Sequence, residues 1–343
     1  MTRRTIRYGA FLWVVLFGLS AWTAPSSAAE DFPTKPVTLV IPVGAGGSHD
    51  LTARALATVA PKYLGQPLII EVKPGGGGAI GCDYVAKSKP DGYTLVFGGP
   101  GWSSTLPAVE GRSQGPDTLT AVAKINHSPV ALMIYPNRPW KSLKEMVEWA
   151  RANPAKLVHA TTGPWGAADL PMKKLMKEYN FTAQLVPYDG GGPALLAILG
   201  GHADSSINPL AQTLPHIRGG KLRALAILDT QRENDLPDVP TAQEQGFNVV
   251  YTLWRAVLAP KGTPRPVIEK LAMAFKQMTE DKSFQALIKQ LGDEVSYQGP
   301  DEFEKVWRAE YESDKEFGKF YKKYGWRGGR LLHFEGGDRA ARQ

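Results

Sequence analysis

One cysteine, Cys82, stands in the whole chain. No internal disulfide can form, so an apolar core has to hold the fold, and Cys82 reads as a small buried packing residue. Signatures of catalysis are sparse as well. There is no G-x-x-x-x-G-K-[ST] phosphate loop and no H-E-x-x-H zinc motif. The histidines, at 49, 127, 159, 202, 216 and 333, show no metal-ligand spacing and read as solvated or structural. Ser48, His49 and Asp50 are adjacent in sequence, but neighbours at a helix start point apart, so they do not compose a triad. No enzyme, cofactor or metal is expected. Charge is not concentrated: 40 Lys and Arg against 33 Asp and Glu leave +7, too diffuse to argue nucleic acid.

Residues 1–29 do not belong to the fold. Arg3, Arg4 and Arg7 form a basic start, residues 10–22 an apolar run, and Ser27, Ala28 and Ala29 a small-residue cleavage site, the layout of a signal peptide. The run is too short and wrongly flanked for a permanent membrane span. Export to a bacterial periplasm is expected. Removal takes three arginines and no acid, so +7 becomes +4, a mild excess that suits an anionic ligand. What is left, roughly 300 residues, is long enough for two ordinary domains.

Residues 37–64 organise the rest. Val37, Leu39, Val40, Ile41 and Val43 read as a strand; Gly44, Ala45, Gly46 and Gly47 read as a tight turn. Leu51, Ala55, Leu56, Val59, Tyr63 and Leu64 recur at helical spacing, with Ser48 as N-cap, Asp50 in the first turn and Gly65 as stop. A strand, a glycine turn and a helix start aim unpaired N–H groups at one spot, which suits an anion. The dinucleotide fingerprint fails at this turn because His49 stands in place of its third glycine.

The same alternation continues. Strands are expected at 67–73, 94–98, 120–135 (one strand or two), 158–162, 184–187, 222–228 and 251–259, with a short segment at 204–208. Helices are expected at 79–88, 142–153, 167–179, 194–199, 212–218, 263–278, 284–291 and 300–323. This is an α/β pattern with parallel pairing, in which ligands sit at the carboxyl ends of the strands. The turn at 44–47 and a loop at 98–104 both leave such ends. The division expected is one discontinuous domain, 30–130 plus 251–324, a second domain, 131–250, and a flexible tail, 325–343.

Pro42 through Asp50 resembles the first binding loop, P-x-x-P/A-G-G-x-x-D, of the periplasmic solute-binding receptors of tripartite tricarboxylate transporters, the Bug receptors. The similarity extends over most of the remaining chain. Phe32-Pro33-Thr34-Lys35-Pro36-Val37, Gly65-Gln66-Pro67, Pro90-Asp91-Gly92-Tyr93-Thr94-Leu95, Leu199-Gly200-Gly201, Leu214-Pro215-His216-Ile217, Leu236-Pro237-Asp238-Val239-Pro240-Thr241 and Pro260-Lys261-Gly262-Thr263-Pro264 follow in the family's order. The resemblance implies a two-domain periplasmic binding protein fold that closes a cleft over an organic carboxylate and serves membrane permease subunits, as a monomer. Carried over, the first loop would hold a carboxylate through Ala45, Gly46, Gly47 and Ser48, with Asp50 holding the loop or a water. The remaining cleft positions would be Trp102, Ser103, Thr161, Thr162, Trp165, Gly166, Tyr188, Gly190, Gly191 and Asn208. A receptor that senses its ligand for a signalling partner fits the same sequence.

Departures from the family pattern bear on the ligand's far end. The family often has His where Asp169 stands, Asp where Asn208 stands, and Thr-His where Trp102 and Ser103 stand; Trp165 replaces a small residue. Two readings of the tryptophans follow: flat apolar walls on either side of the ligand, or packing and lid elements. The first favours an aromatic or medium-chain mono- or dicarboxylate over citrate.

Overall fold

A computed structural model describes residues 31–163, 165–188, 191–324, 326–327 and 330–331. The expected signal peptide and Gly190 lie outside the described residues, as does most of the expected tail.

The chain opens as read. The β-branched run forms β1 (Val37–Ile41), and the glycine turn leads into α1 (Ser48–Leu64), which stops at Gly65 with φ 73°. β2 (Leu68–Val72), α2 (Ala79–Ala86) and β3 (Thr94–Gly98) follow. β1 pairs in parallel with β2 on one side and β3 on the other. After β3 a single π-helical turn, Gly101–Thr105, runs straight into α3 (Leu106–Glu110), where a loop was expected. β4 (Leu119–Ser128) completes this stretch.

Pro129 then changes sheets. It has no N–H to give a ladder, so the run at 119–134 cannot continue as one strand. β5 (Val130–Ile134) belongs to a second sheet. There α4 (Leu143–Ala152) begins at a capping box: Glu145 N donates to Ser142 Oγ at 3.1 Å, and Glu145 Oε2 accepts from Lys141 N at 2.8 Å. β6 (Leu157–Thr161), α5 (Leu170–Glu178), β7 (Ala183–Pro187), α6 (Gly191–Leu199), β8 (Ser205–Pro209), α7 (Leu210–Arg218) and β9 (Arg223–Ile227) follow. The strand order is β7-β6-β8-β5-β9.

β10 (Leu253–Pro260) returns to the first sheet, and α8 (Arg265–Glu280), α9 (Lys282–Gln290), β11 (Glu294–Gln298) and α10 (Pro300–Tyr324) finish it. Its order is β11-β4-β10-β3-β1-β2. Beyond α10, β12 (Trp326–Arg327) and β13 (Arg330–Leu331) pair as a two-residue antiparallel ladder.

Parallel pairing was expected throughout, and the structure corrects this. β10 lies antiparallel between β3 and β4, and β5 is antiparallel to both β8 and β9. These strands enter from the other sheet, so their direction is set by the crossings and not by a βαβ unit. Local details also differ. Gly47, not Ser48, is the N-cap of α1, without a side-chain cap bond. The helix expected from 263 starts at Arg265: the Thr263 hydroxyl donates to Pro260 O at 2.8 Å, and Pro264 takes the cap position. α5 starts three residues later than read and α6 three earlier, and β11 was not foreseen.

Two cores result. Val40, Val96 and Leu258 of the first sheet pack on Phe303 and Trp307 of α10. Val130, Leu132 and Ile134 of β5 pack with Met146, Leu170 and Leu175. Phe317 of α10, together with Leu106 and Val109 of α3, joins this second cluster. The long terminal helix thus spans both sheets' cores, burying Phe303, Trp307, Tyr311 and Phe317 as their spacing predicts.

Candidate functional site

The β1–α1 turn is exposed from Gly44 to Gly47. Gly46 stands at φ 79° and donates its N–H to Asp50 Oδ2 at 2.8 Å. Asp50 is itself buried and paired with Arg54 Nε at 3.0 Å. Burial acts to raise its pKa; the hydrogen bonds from Arg54 and Gly46 outweigh that and lower it. Asp50 therefore fastens the turn and consumes one of its four amides. The N–H groups of Ala45, Gly47 and Ser48 have no acceptor among the described residues. They sit at the positive end of a helix.

His49 lies directly behind this turn. Its ring meets Trp102 at 4.6 Å and Phe97 at 5.8 Å, both edge-on. Burial first, then the charge of Arg255, holds its pKa well below the ordinary imidazole value, against a hydrogen bond with the Gly98 backbone. Arg255 itself is fully buried in β10, with Nη1 2.9 Å from Asp293 Oδ2 and Nη2 donating to Ser128 Oγ at 2.9 Å. Sequence reading missed this cation beneath the site. Its one signal was an arginine interrupting an apolar strand.

The π-helical turn presents Trp102 and hides Ser103. Trp102 is half-buried and its Nε1 has no partner among the described residues. Ser103 is fully buried, with its hydroxyl 3.9 Å from Cys82 Sγ and its carbonyl accepting from Trp307 Nε1. Its side chain belongs to the core side of the turn. Burial pushes the Cys82 thiol up to about 12, as befits a packing residue.

On the second sheet the expected residues gather at the carboxyl ends of β6, β7 and β8. Tyr188 N donates to Thr161 O at 3.0 Å, joining the first two loops. His159, fully buried, reaches Ser205 Oγ at 2.8 Å and Ala168 O at 2.9 Å, which pins the loop after Thr161. Burial lowers its pKa to about 4. Thr162 Oγ1 accepts from Ala168 N at 3.4 Å, and a Cβ at Gly166 would lie 2.4 Å from it. Asn208 closes β8 with its Oδ1 unpartnered, 3.3 Å from where a Cβ at Gly191 would be.

Trp165 is placed differently from a free apolar wall. It is buried, at φ 61°, and its N–H donates to Asp169 Oδ2 at 2.8 Å. Its Nε1 donates to Glu110 of α3. Its ring packs edge-on against Tyr321 at 4.9 Å and Phe317 at 6.3 Å, with Lys173 Nζ 4.2 Å from its centre. These contacts tie a loop of the second sheet to helices that pack on the first. The packing reading of Trp165 is the one its geometry supports. A Cβ at Gly101 would lie 3.4 Å from Trp165 O, so the loops of the two sheets meet there.

Two letter patterns need a structural answer. Residues 111–115 spell G-x-S-x-G, but they follow α3 and not a strand, and Ser113 Oγ donates to Trp102 O at 2.8 Å. The hydroxyl is not offered to a base. Residues 76–81 spell G-x-G-x-x-G. A Cβ at Gly78 would lie 2.5 Å from Trp102 and one at Gly81 2.7 Å from Pro42, so these glycines admit close neighbours. Among the described residues no His, Cys, Asp and Glu group could hold a metal ion, and no helix is long and apolar enough to cross a membrane.

The family model described as "Tripartite tricarboxylate transporter family receptor" matches residues 52–319. The chain is 33% identical to Protein BugT of Bordetella pertussis over 276 residues, 78% of this chain and 83% of that one. Among solved structures it is similar to MatC from Rhodopseudomonas palustris with bound malate, at 29% identity and TM-score 0.73, covering 84% of this chain and 100% of that one. It is similar also to an R. palustris protein with adipate, at 28% identity and TM-score 0.73, covering 85% and 98%.

Proposed function

The chain belongs to the tripartite tricarboxylate transporter family of receptors, and from that premise we propose that it captures an organic carboxylate on the β1–α1 turn. One observation carries the reading: three N–H groups, of Ala45, Gly47 and Ser48, stand at the start of α1 without an acceptor among the described residues, the first two on exposed residues, while Asp50 holds the turn in shape. Such a constellation stabilises an anion and offers no nucleophile or base. The carboxylate complexes of relatives with malate and adipate support it.

In this reading residues 30–130 with 251–324 form one domain and 131–250 the other. The ligand lies between them, facing Trp102, Thr161, Thr162, Gly166, Tyr188, Gly191 and Asn208. The loaded receptor then serves the membrane subunits of a tripartite transporter from the periplasm. With Trp165 engaged by α10 and α3, one of the two apolar walls that argued for an aromatic ligand is already occupied. A medium-chain carboxylate is left as the better fit.

Gly47 supplies the test. Its φ of −76° already suits proline, and a Cβ there meets only Gly44 O at 3.7 Å. Gly47→Pro deletes an unsatisfied N–H without deleting an internal bond; Gly47→Ala keeps it. Carboxylate affinity measured calorimetrically should be lost in the first variant and kept in the second. Equal affinity in both would overturn the reading.

A further inference from the structure

We propose that the far end of the ligand carries a hydroxyl, which donates to Asn208 Oδ1 and accepts from the start of α6. This rests on the carboxylate reading above and adds the chemistry of the second end.

The argument runs along one chain of hydrogen bonds. Ser206 Oγ gives its only hydrogen to Ala160 O at 2.9 Å. At Asn208 it can therefore only accept, and Asn208 Nδ2 donates to it at 2.8 Å. The amide is thereby oriented, with its oxygen turned the other way. Asn208 is 0% exposed and its Oδ1 has no partner among the described residues. A buried acceptor left empty is costly, and a ligand that fills it gains accordingly.

Its surroundings select what fills it. Oδ1 lies 3.3 Å, and Gln212 Oε1 3.2 Å, from the point a Cβ at Gly191 would occupy. Gly191 is the first residue of α6, a nine-residue helix, so a group that reaches Oδ1 past the bare Gly191 Cα stands near the positive end of the helix. A carboxylate would suit the helix end but face the fixed acceptor oxygen of Asn208. An ammonium would suit that oxygen but face the helix end. A methylene would answer neither. A hydroxyl donates one way and accepts the other.

The test is calorimetric titration of matched pairs that differ only in a hydroxyl: L-malate with succinate, and 2-hydroxyadipate with adipate. The hydroxylated member of a bound pair should bind wild type about tenfold or more tightly, the scale set by leaving one buried acceptor unpaired. Asn208→Leu, and Ser206→Ala, which releases the amide to turn, should bring that ratio to about one, and in Ser206→Ala the deoxy acid still binds as to wild type. Survival of deoxy-acid binding separates lost recognition from lost folding. Equal or tighter binding of the deoxy acids to wild type, or a ratio unchanged in both variants, would overturn the inference and leave the carboxylate reading standing. No binding of any acid in the panel would overturn both.

Discussion

Lys173→Met probes the ion pair that supports the Trp165 loop. Lys173 Nζ lies 2.6 Å from Asp169 Oδ2, and the two side chains are only 8% and 5% exposed. The same ammonium sits 4.2 Å from the Trp165 ring centre and 5.3 Å from that of Tyr321. Methionine keeps the stem's length and apolar contacts and deletes the charge. Asp169 is then left buried, keeping its bond from the Trp165 N–H. Removing one partner of a buried pair costs about 3–5 kcal/mol. The lost cation–π contacts add about 0.5–2 kcal/mol, and sulfur against the rings returns about 0.3–1.5 kcal/mol. The expected loss is about 2–7 kcal/mol, centred on about 4, a large share of a typical stability of about 5–15 kcal/mol. Asp169→Asn with Lys173→Met removes both charges, and an amide oxygen still accepts from Trp165 N. The double variant should recover at least about 2 kcal/mol relative to the sum of the singles. Urea unfolding followed by tryptophan fluorescence measures all four proteins. A loss under about 1 kcal/mol in Lys173→Met, or additive singles, would refute the reasoning.

Three further outcomes are expected. Glu310 on α10 accepts from Trp254 Nε1 at 2.8 Å beside a cavity of about 180 Å³, and burial, then Asp314, pushes its pKa up to about 7. Folded Glu310 is therefore protonated where the unfolded residue, near 4.5, is not, so it costs stability as pH rises through that window. Glu310→Gln should gain on wild type by about 1–3 kcal/mol between pH 4.5 and 7, and a difference independent of pH in denaturant titrations would count against this. Ligand binding should close the molecule about hinges at residues 130–134 and 251–256. Small-angle scattering should show a smaller radius with a bound acid, and curves identical with and without it would contradict closure. Trp165→Ala should lower stability by about 3–5 kcal/mol, while half-buried Trp102→Ala should act mainly on ligand affinity; melts and titrations giving the reverse order would sink the assignment.

Legibility followed the range of the interactions. β1, β3 and α4 were readable from alternation, β-branched runs and a capping box because these act between residues a few positions apart. The same holds for the glycine turn, the stop at Gly65 and the apolar stripe of α10. Ordered motifs along the chain carried the family, and with it the two-sheet receptor fold. The neighbours that decide the site are far away in sequence. Trp165 meets Tyr321 and Glu110, Arg255 meets Asp293 and Ser128, and Asn208 takes its orientation from a bond that ends at Ala160.

The chain alone thus determined where its strands and helices lie, which turn offers free amides, and what kind of receptor it is. Only the tertiary structure decided that β10 runs antiparallel, that one amide of the turn belongs to Asp50, that Trp165 is buried against Tyr321 and Phe317, and that the Asn208 amide turns its nitrogen to Ser206. Strand direction, ring burial and the polarity of a hydrogen bond all depend on a second partner. That partner reaches its place only when distant segments pack, so no local pattern encodes it.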